Sequence, residues 1–265
     1  GRAQISGLST GYPDLDRMLT GLHRSDLLLL AGRPGTGKTS LALSIARNVA
    51  QAGATVGIVS LEMSEQQLLQ RLVCMETGVD LQRLRSGTLN SAEVELVVDA
   101  LGELSRSNIY IDDEAAQKVH VLRSKARHLH AMYSLDLLIV DYLQLADSNE
   151  RSQNRVREVD EISRGLKALA RELDCPLLAL SQLSRAVEGR TNRVPQLSDL
   201  RESGQLEADA DVVMFIYREE LYDKTTSKRG TAEVHIAKHR NGPLGVVTLR
   251  FDAPTTRFQS LARGE

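Results

Sequence analysis

The sequence has 265 residues, of which 42% are hydrophobic, 3% are aromatic and none is Trp. This length and composition suit one α/β domain whose core consists mostly of aliphatic side chains. The formal net charge of −2 excludes a global positive field that would draw the protein onto nucleic acid, so any such contact must be local.

The two cysteines, Cys74 and Cys175, belong to no CxxC motif or Cys/His cluster, which argues against a metal site built on thiolates. No apolar run approaches the roughly 20 residues that span a bilayer, so we expect no association with a membrane. Two thiols without a secretory signal predict a cytoplasmic location. The sequence begins with Gly1 rather than Met, and we expect it to be one domain of a longer protein.

Short apolar runs alternate along the chain with longer helical patterns, which is typical of a mostly parallel sheet flanked by helices. Apolar residues recur at helical spacing in residues 122–133 and 156–173, and no internal repeat is present. Each predicted strand is nearly continuous in apolar residues, as expected for burial on both faces. The strands are predicted, in chain order, at residues 27–31, 56–61, 109–111, 137–140, 177–180 and 212–217.

The C-terminal part follows a different pattern. Residues 234–238 and 246–250 alternate with a period of two around Asn241-Gly242-Pro243, which predicts an antiparallel hairpin with a tight tip. Two polar stretches, residues 147–157 and 184–203, each follow a predicted strand. Open α/β sheets place their ligand-binding loops at such positions. We predict that residues 1–265 form a single α/β domain.

A glycine-rich run follows the first predicted strand and precedes a helix with apolar periodicity. It matches the phosphate-loop pattern G-x-x-x-x-G-K-[ST] in full, and both flanking elements are those that the motif requires. Such a loop turns backbone N–H groups toward phosphates, and the following helix adds the positive end of its dipole. The lysine contacts the β- and γ-phosphates, and the threonine hydroxyl ligates Mg²⁺. The sequence therefore predicts a site for ATP and Mg²⁺ formed by Gly32, Arg33, Pro34, Gly35, Thr36, Gly37, Lys38, Thr39 and Ser40.

Polar residues stand at the ends of three other predicted strands. Asp141 could be a cap or turn residue, but beside a phosphate loop it is placed to hold Mg²⁺ through water. Glu62 is our candidate general base for the attacking water; the alternative is a charge at the start of the helix that Ser64 caps. Gln182 either senses the γ-phosphate or lies on the surface.

The chain resembles the C-terminal ATPase domain of the DnaB-type replicative DNA helicases, over essentially its whole length. That resemblance implies a RecA-like phosphate-loop NTPase: a mostly parallel central sheet flanked by helices, with a C-terminal antiparallel hairpin. The blocks that carry it are Ser60-Leu61-Glu62-Met63, Asp141-Tyr142-Leu143-Gln144-Leu145, Ile162-Ser163-Arg164-Gly165-Leu166-Lys167, Leu180-Ser181-Gln182-Leu183-Ser184-Arg185, Asp199-Leu200-Arg201-Glu202-Ser203-Gly204 and Lys238-His239-Arg240-Asn241-Gly242-Pro243.

The resemblance also implies a role for each matching position in hydrolysis. Lys38 and Thr39 would bind phosphate and magnesium, Glu62 would activate the water, Asp141 would be the metal-side aspartate, and Gln182 would be the γ-phosphate sensor.

Further implied roles concern partners of the chain. Arg201, Glu202 and Gly204 would lie on a loop that lines a central channel and touches the backbone of single-stranded DNA. Lys238 and Arg240 would reach the nucleotide of the adjacent subunit, with Arg240 as an arginine finger. The residues alone leave Arg240 open as a solvated hairpin-tip arginine.

The family resemblance implies a homohexameric ring that moves 5′→3′ on single-stranded DNA at the replication fork, in the bacterial nucleoid. Primase and a helicase loader are the implied protein partners. The family's N-terminal domain and linker helix are expected to be absent from this sequence, so primase binding is expected to need them. The loop reads Gly35-Thr36 where relatives often carry another small residue and Met, a change that leaves the backbone cradle intact.

Two other functions are compatible with the phosphate loop. A RadA-like recombinase that forms filaments on DNA is compatible with the opening block Ser9-Thr10-Gly11-Tyr12-Pro13-Asp14-Leu15-Asp16. A nucleotide-gated scaffold would bind ATP as a switch. The blocks at residues 199–204 and 238–243 favour the helicase, and Glu62 argues against a scaffold because a pure switch has little need of a group that activates water.

Overall fold

The computed structural model describes residues 5–114, 119–141, 153–183, 189–190 and 192–261, and side chains within those ranges except at residues 119, 153–158 and 201–203. The strands are β1 (Leu27–Gly32), β2 (Val56–Ser60), β3 (Ile109–Asp112), β4 (Leu137–Asp141), β5 (Leu177–Gln182), β6 (Val212–Tyr217), β7 (Thr231–His239), β8 (Gly245–Asp252) and β9 (Arg257–Ser260). The α-helices are α1 (Pro13–Leu19), α2 (Lys38–Gln51), α3 (Glu65–Thr77), α4 (Leu81–Ser86), α5 (Ser91–Leu104), α6 (Val119–Tyr133), α7 (Gln153–Leu173) and α8 (Gly204–Asp209).

The strands form one sheet in the order β3-β2-β4-β5-β1-β6-β7-β8-β9. The six strands from β3 to β6 are parallel, and β6 to β9 pair in antiparallel fashion. This arrangement confirms the predicted fold class, a mostly parallel sheet with a C-terminal antiparallel hairpin. Parallel strands end at one edge of the sheet, so the segments after β1, β2, β4 and β5 lie side by side there.

Apolar side chains cover both faces of the sheet, which explains the continuous apolar runs of the parallel strands. In β1, Leu28 and Leu30 belong to a core packed against α2 and the C-terminal strands. Leu27 and Leu29 face a second core, formed with α6 and α7. In the part of the chain that the structure describes, no helix has the length and apolar character needed to cross a bilayer.

The opening block, residues 9–16, has a structural role in the fold. Asp16, in α1, is 3% exposed and accepts hydrogen bonds from Ser9 Oγ at 2.6 Å, Thr10 N at 2.8 Å and Thr10 Oγ1 at 2.7 Å. These bonds fix the turn that precedes α1. Helix α1 was not predicted, because Pro13 at its first turn resembles a turn signal as much as a helix start.

Several predicted boundaries were wrong. Helix α7 begins at Gln153, inside the stretch that we predicted as polar connection, and a 3₁₀ helix occupies Leu197–Ser203 within the second such stretch. An amphipathic helix carries its own polar face, so a polar run alone does not mark a loop. Helices α4 and α5 and the last strand, Arg257–Ser260, were not predicted either. Of these two stretches, residues 147–152, 184–188 and 191 lie outside the described residues.

The hairpin of β7 and β8 is confirmed, but its predicted tight tip is wrong. Residues 240–244, five in number, connect the two strands. Gly242 lacks the positive φ of a two-residue type I′ turn. A Cβ at Gly242 would overlap Cε1 of the His239 imidazole ring, so that ring would have to move to admit a side chain there.

Candidate nucleotide-binding site

The predicted phosphate loop lies between the carboxyl end of β1 and the first residue of α2, Lys38. Gly35 and Gly37 have φ values of +75° and +104°, which side chains with a Cβ rarely adopt. Thr36 donates to the Arg33 carbonyl from its backbone N–H at 3.3 Å and from its hydroxyl at 2.7 Å. This tight turn curls the backbone around the amino end of α2, where amide groups bind phosphate.

Two side chains of the predicted site are buried and make hydrogen bonds to other segments of the chain. The Arg33 side chain is buried and its Nη1 donates to the Leu183 carbonyl at 2.8 Å. Arg33 thus ties the loop to the segment after β5, and its backbone is the part that belongs to the phosphate cradle. Ser40 is 3% exposed, and its hydroxyl accepts a hydrogen bond from Nη1 of Arg71 at 3.2 Å.

The predicted metal residues are in contact. The Thr39 hydroxyl donates to Oδ2 of Asp141 at 3.1 Å, and Asp141, the last residue of β4, is 4% exposed. A hydroxyl and a carboxylate are oxygen donors of the kind that Mg²⁺ prefers, so this donor set fits the ion. Burial raises the pKa of the Asp141 carboxyl above its ordinary value; the Thr39 hydroxyl lowers it, nearby Glu62 raises it further, and Lys38 lowers it.

The Lys38 ammonium lies close to two carboxylates. Burial lowers the pKa of Lys38, while Asp141 and Glu62 act in the opposite direction. Burial therefore makes the ordinary charge states of Lys38 and Asp141 costly. A polyphosphate beside Lys38 or a cation beside Asp141 would favour the charged form of that residue.

Glu62 lies two residues beyond the end of β2 and is exposed. Ser64 caps α3 through a capping box with Gln67, and Glu65 supplies the acidic residue of the first turn. Glu62 stands two residues before that cap, outside α3. The charge of its carboxylate raises the pKa of both Lys38 and Asp141, so Glu62 lies near these two residues.

Gln182 is the last residue of β5 and its register partner in β1 is Gly32, the first residue of the loop. Its side chain is half-buried. The neighbouring Ser181 hydroxyl is buried without a hydrogen-bond partner among the described residues. Gln182 thus lies beside the loop.

Arg71, in α3, is a candidate residue that the sequence analysis missed. Besides bonding Ser40, its guanidinium faces the charge of Asp141, and burial lowers its pKa. Its Nε is buried without a partner in the described part of the chain. The available signal was an arginine three residues after Leu68, on the buried face of α3.

Arg218, directly after β6, was missed for a different reason. It is 8% exposed, and its Nη1 donates to the Gly35 carbonyl at the apex of the loop at 3.2 Å. Its guanidinium carbon lies 4.2 Å from the ring centroid of Phe251, and it forms an ion pair with Glu220. An arginine after an apolar strand was the signal, but its contact across 183 positions is tertiary.

Residues 7–260 match the protein family described as "DnaB-like helicase C terminal domain". The chain belongs to this family. It is 48% identical to the replicative DNA helicase DnaB of Geobacillus stearothermophilus, over 98% of the chain and 58% of that protein. It is 47% identical to the replicative DNA helicase DnaC of Bacillus subtilis (strain 168), over 99% of the chain and 58% of that protein. The chain therefore spans somewhat more than half the length of these relatives.

Solved structures agree with this assignment to the DnaB-like family. A DnaB-like replicative helicase, described with its interactions with primase, superposes with a TM-score of 0.91 at 40% identity, covering 98% of this chain and 63% of that one. A separately solved ATPase domain gives the same TM-score and identity over 98% of this chain and 93% of that one. The RadB recombinase, at a TM-score of 0.60 and 18% identity over 96% of this chain and 100% of that one, shares the fold alone. The family match favours the helicase over the recombinase alternative.

In this DnaB-like domain, Lys238 and Arg240 lie away from the phosphate loop of their own chain. β7 runs antiparallel to β6, with Lys238 paired to Val213, and Arg240 N donates to the Asp211 carbonyl at 2.9 Å. The loop is at the opposite end of β1. Burial, followed by the charge of Arg240, lowers the pKa of Lys238. The structure therefore does not bring these two predicted residues to the site formed by the loop and the strand-end residues of the same chain.

The predicted DNA-contacting loop of this DnaB-like domain is a short helix instead. Arg201 and Glu202 have backbones within the 3₁₀ helix Leu197–Ser203, and their side chains lie outside the described residues. Gln196 N donates to Asp199 Oδ2 at 2.7 Å, which caps this helix. Gly204 begins α8 and is exposed, and an added Cβ there would meet no atom within 4 Å.

Proposed function

We propose that this chain is the ATP-hydrolysing motor domain of a replicative DNA helicase, and that it works as a homohexameric ring in which ATP is shared between neighbouring copies. The ring would move 5′→3′ along single-stranded DNA and separate the duplex at the replication fork. The observation that carries the shared site is the position of Lys238 and Arg240, at the sheet edge opposite their own phosphate loop.

Strand geometry gives the scale of that separation. The backbone N–H of Arg240 donates a hydrogen bond to the Asp211 carbonyl. The backbone N–H of Asp211 in turn donates to the carbonyl of Leu27, at the start of β1. From Leu27 to Gly32, at roughly 3.3 Å per residue, the distance along the strand is about 17 Å. An arginine side chain is shorter than this. If Arg240 acts on a nucleotide, that nucleotide is therefore one bound to another copy of the chain.

The roles within one copy follow from the contacts at the loop. Backbone N–H groups of residues 32–40 and the Lys38 ammonium would bind the phosphates. Glu62, exposed and beside Lys38, would polarise the attacking water, and Gln182 would respond to the γ-phosphate. Thr39 and Asp141 would hold Mg²⁺, which when bound neutralises charge on the phosphate oxygens.

The neighbouring copy would complete the reaction. Arg240 would stabilise negative charge that develops on the γ-phosphate, with Lys238 beside it. An arginine supplied in this way contributes about 10³ to 10⁵ in rate where it has been measured. Hydrolysis would then depend on ring assembly, since the charge is neutralised across an interface.

Contact with DNA is proposed at Arg201, Glu202 and Gly204. The open space around Gly204 supports this, because the packing of the single chain does not require a glycine there, whereas the close approach of another backbone would. Contacts of this kind to phosphates carry no base information. That property suits a motor that must travel over any sequence.

We also propose primase and a helicase loader as partners, by analogy with relatives. One related helicase is described together with its interactions with primase. Residues 1–265 would then be the single ATPase domain of a longer protein, whose N-terminal domain and linker helix would be needed for primase binding. The proposed location is the cytoplasm, at the replication fork.

Unwinding of a forked duplex by the full-length protein, with particle shape recorded by electron microscopy, tests the proposal. We expect closed rings and ATP-dependent strand separation. Helical filaments on DNA without unwinding would indicate the recombinase alternative, and ATP binding without turnover would indicate a scaffold.

A further inference from the structure

The carboxylate of Asp211 lies at the start of β6 and joins three parts of the fold. It is 5% exposed. Its Oδ2 accepts from Leu27 N at 2.8 Å and from Lys167 Nζ at 2.5 Å, and its Oδ1 accepts from Arg240 Nη1 at 3.0 Å. A buried carboxylate that accepts three hydrogen bonds, two of them from cations, is a negative charge held in one position in the fold.

The carboxyl end of α8 completes the surroundings of the hairpin tip. Arg240 Nη2 donates to the Ala208 carbonyl at 2.5 Å. Lys238 Nζ donates to the same carbonyl at 3.2 Å and to the carbonyl of Glu207. Carbonyls at the end of a helix lack partners within the helix and carry the negative end of its dipole, so they attract cations. We call Asp211 and these two carbonyls the finger cradle.

The finger cradle leaves part of the arginine available. A guanidinium has five N–H donors in a rigid plane, and the finger cradle contacts account for one on Nη1 and one on Nη2. The Arg240 side chain is 43% exposed. Its orientation is thus fixed from one side while the other side faces outward.

We propose that Asp211, with the carbonyls of Glu207 and Ala208, positions Arg240 and Lys238 for use by the ATP site of the neighbouring copy. This inference rests on the proposed function, in which the neighbour's ATP is the target of Arg240. A free arginine at a five-residue tip would sample many rotamers, and fixing it at each turnover would cost entropy. A pre-oriented charge avoids that cost and reorganises little during the reaction.

The finger cradle also connects the hairpin tip to the DNA-contacting segment. Helix α8 spans Gly204–Asp209, so Gly204 starts the same short helix whose last carbonyls hold Lys238 and Arg240. Ser163, in α7, anchors this helix by donating to Asp209 Oδ2 at 2.7 Å. If DNA binding displaced residues 201–204, the displacement would therefore pass along the single short helix α8 to the finger cradle.

The test is Asp211→Asn in the full-length protein. The amide oxygen keeps an acceptor for Leu27 N–H, while the charge that orients Arg240 is lost. We expect kcat for ATP to fall by about 10- to 100-fold, the effect of a small misplacement of a reacting group, with KM for ATP unchanged. A kcat that is unchanged or higher would overturn the positioning role, and a higher value would show that Asp211 restrains Arg240.

Mixing experiments separate positioning from damage to the fold. Rings that mix the two variants Asp211→Asn and Lys38→Ala contain some interfaces with both parts intact. At these interfaces the Asp211→Asn subunit supplies the phosphate loop and the Lys38→Ala subunit supplies a correctly positioned Arg240. Turnover should recover at such interfaces. If Asp211→Asn instead disturbed its own phosphate loop through Leu27, no recovery would occur, and the positioning role would be wrong.

Asp136→Asn is the matched control. Asp136 precedes β4 and accepts from Thr55 N at 2.9 Å, as Asp211 precedes β6 and accepts from Leu27 N, but it contacts neither Lys238 nor Arg240 in the described chain. Its kcat should stay near that of the parent protein. An equal loss of kcat in both variants would count against a specific role of Asp211.

Two further variants keep the test decisive. If Asp211→Asn fails to fold, Asp211→Glu retains the charge but displaces it by one methylene; a folded Asp211→Glu protein with unchanged kcat would also overturn the inference. Arg240→Ala distinguishes the two levels of the account. Full ATP turnover in Arg240→Ala rings would contradict the proposed function itself. Lost turnover in Arg240→Ala rings, together with a normal kcat in Asp211→Asn rings, would contradict only the positioning role of the finger cradle.

Discussion

Thr39 Oγ1 lies 3.1 Å from Asp141 Oδ2, although the two residues are 102 positions apart in the sequence. This contact joins the first turn of α2 to the carboxyl end of β4. It shows why a phosphate loop and a strand-end aspartate form one site: parallel strands bring their carboxyl ends to a common edge, and the loop crosses that edge.

We predict that Thr39→Val impairs the use of Mg²⁺. The substitution keeps the shape of the side chain and removes the hydroxyl, a metal ligand, so half-maximal ATP turnover should need at least about 10-fold more Mg²⁺, and kcat should fall. ATPase rates measured against Mg²⁺ concentration check this. Thr225→Val, in an exposed turn with Asp223, is the control, and the same Mg²⁺ dependence in both variants would contradict the metal assignment.

A pH-dependent stability is expected from Asp141. Because burial raises its pKa in the folded chain, the folded state holds this proton to higher pH than the unfolded state, where the pKa is about 3.9. Ionisation of Asp141 therefore reduces the free energy of unfolding as the pH rises from about 4 through the raised pKa.

Thermal unfolding of Asp141→Asn without nucleotide measures that cost. The variant should match the parent protein near pH 4 and have a higher Tm at pH 7, by about 2–4 °C for each kcal/mol relieved. A lower Tm at pH 7 would mean that the Thr39 and Lys38 contacts outweigh burial.

The contact of Arg218 with the loop predicts an effect on ATP affinity. Arg218→Met keeps an apolar stem over Phe251 but removes the hydrogen bond to the Gly35 carbonyl. Kd for ATP should rise by about 10-fold, equivalent to about 1.4 kcal/mol. Calorimetric titration checks this, with Arg229→Met as the control because Arg229 donates to the Lys224 carbonyl on the exposed surface. Equal affinity in the Arg218 variant would exclude a role in holding the loop.

Arg201→Ala should weaken binding to single-stranded DNA at low salt and leave ATP affinity unchanged. If Arg201 contacts one phosphate, the slope of log K against log salt should become shallower by about 0.7. Titration of a labelled oligonucleotide at several salt concentrations gives this slope. Joint loss of DNA and ATP binding would instead indicate misfolding.

The parts of the fold that the sequence predicted are those with local or periodic signals. The strand β1 and the glycine-rich run after it could be placed from residues alone, since each requires particular residue types at fixed spacing. The side-by-side position of Gln182 and Gly32 did not follow from the residues, because strand ends alone do not show that β5 lies next to β1.

The parts that could not be predicted depend on tertiary contacts. Nothing near Arg218 in the sequence points to Gly35, and nothing near Arg71 points to Ser40. The hairpin tip was wrong because Asn241-Gly242 normally marks a two-residue turn, whereas here five residues join the strands and Gly242 has no positive φ. A role for Asp211 had no local signal either, since its three donors come from β1, α7 and the hairpin tip.

Mixed rings of Lys38→Ala and Arg240→Ala subunits test the shared ATP site most directly. Each variant alone should lose turnover, the first because it cannot hold the phosphates and the second because its neighbour lacks the arginine. Mixtures contain interfaces with an intact loop on one side and an intact Arg240 on the other, so ATP hydrolysis should return, with a maximum near equal proportions. Full-speed hydrolysis by isolated Arg240→Ala chains, or no recovery at any proportion, would contradict the account.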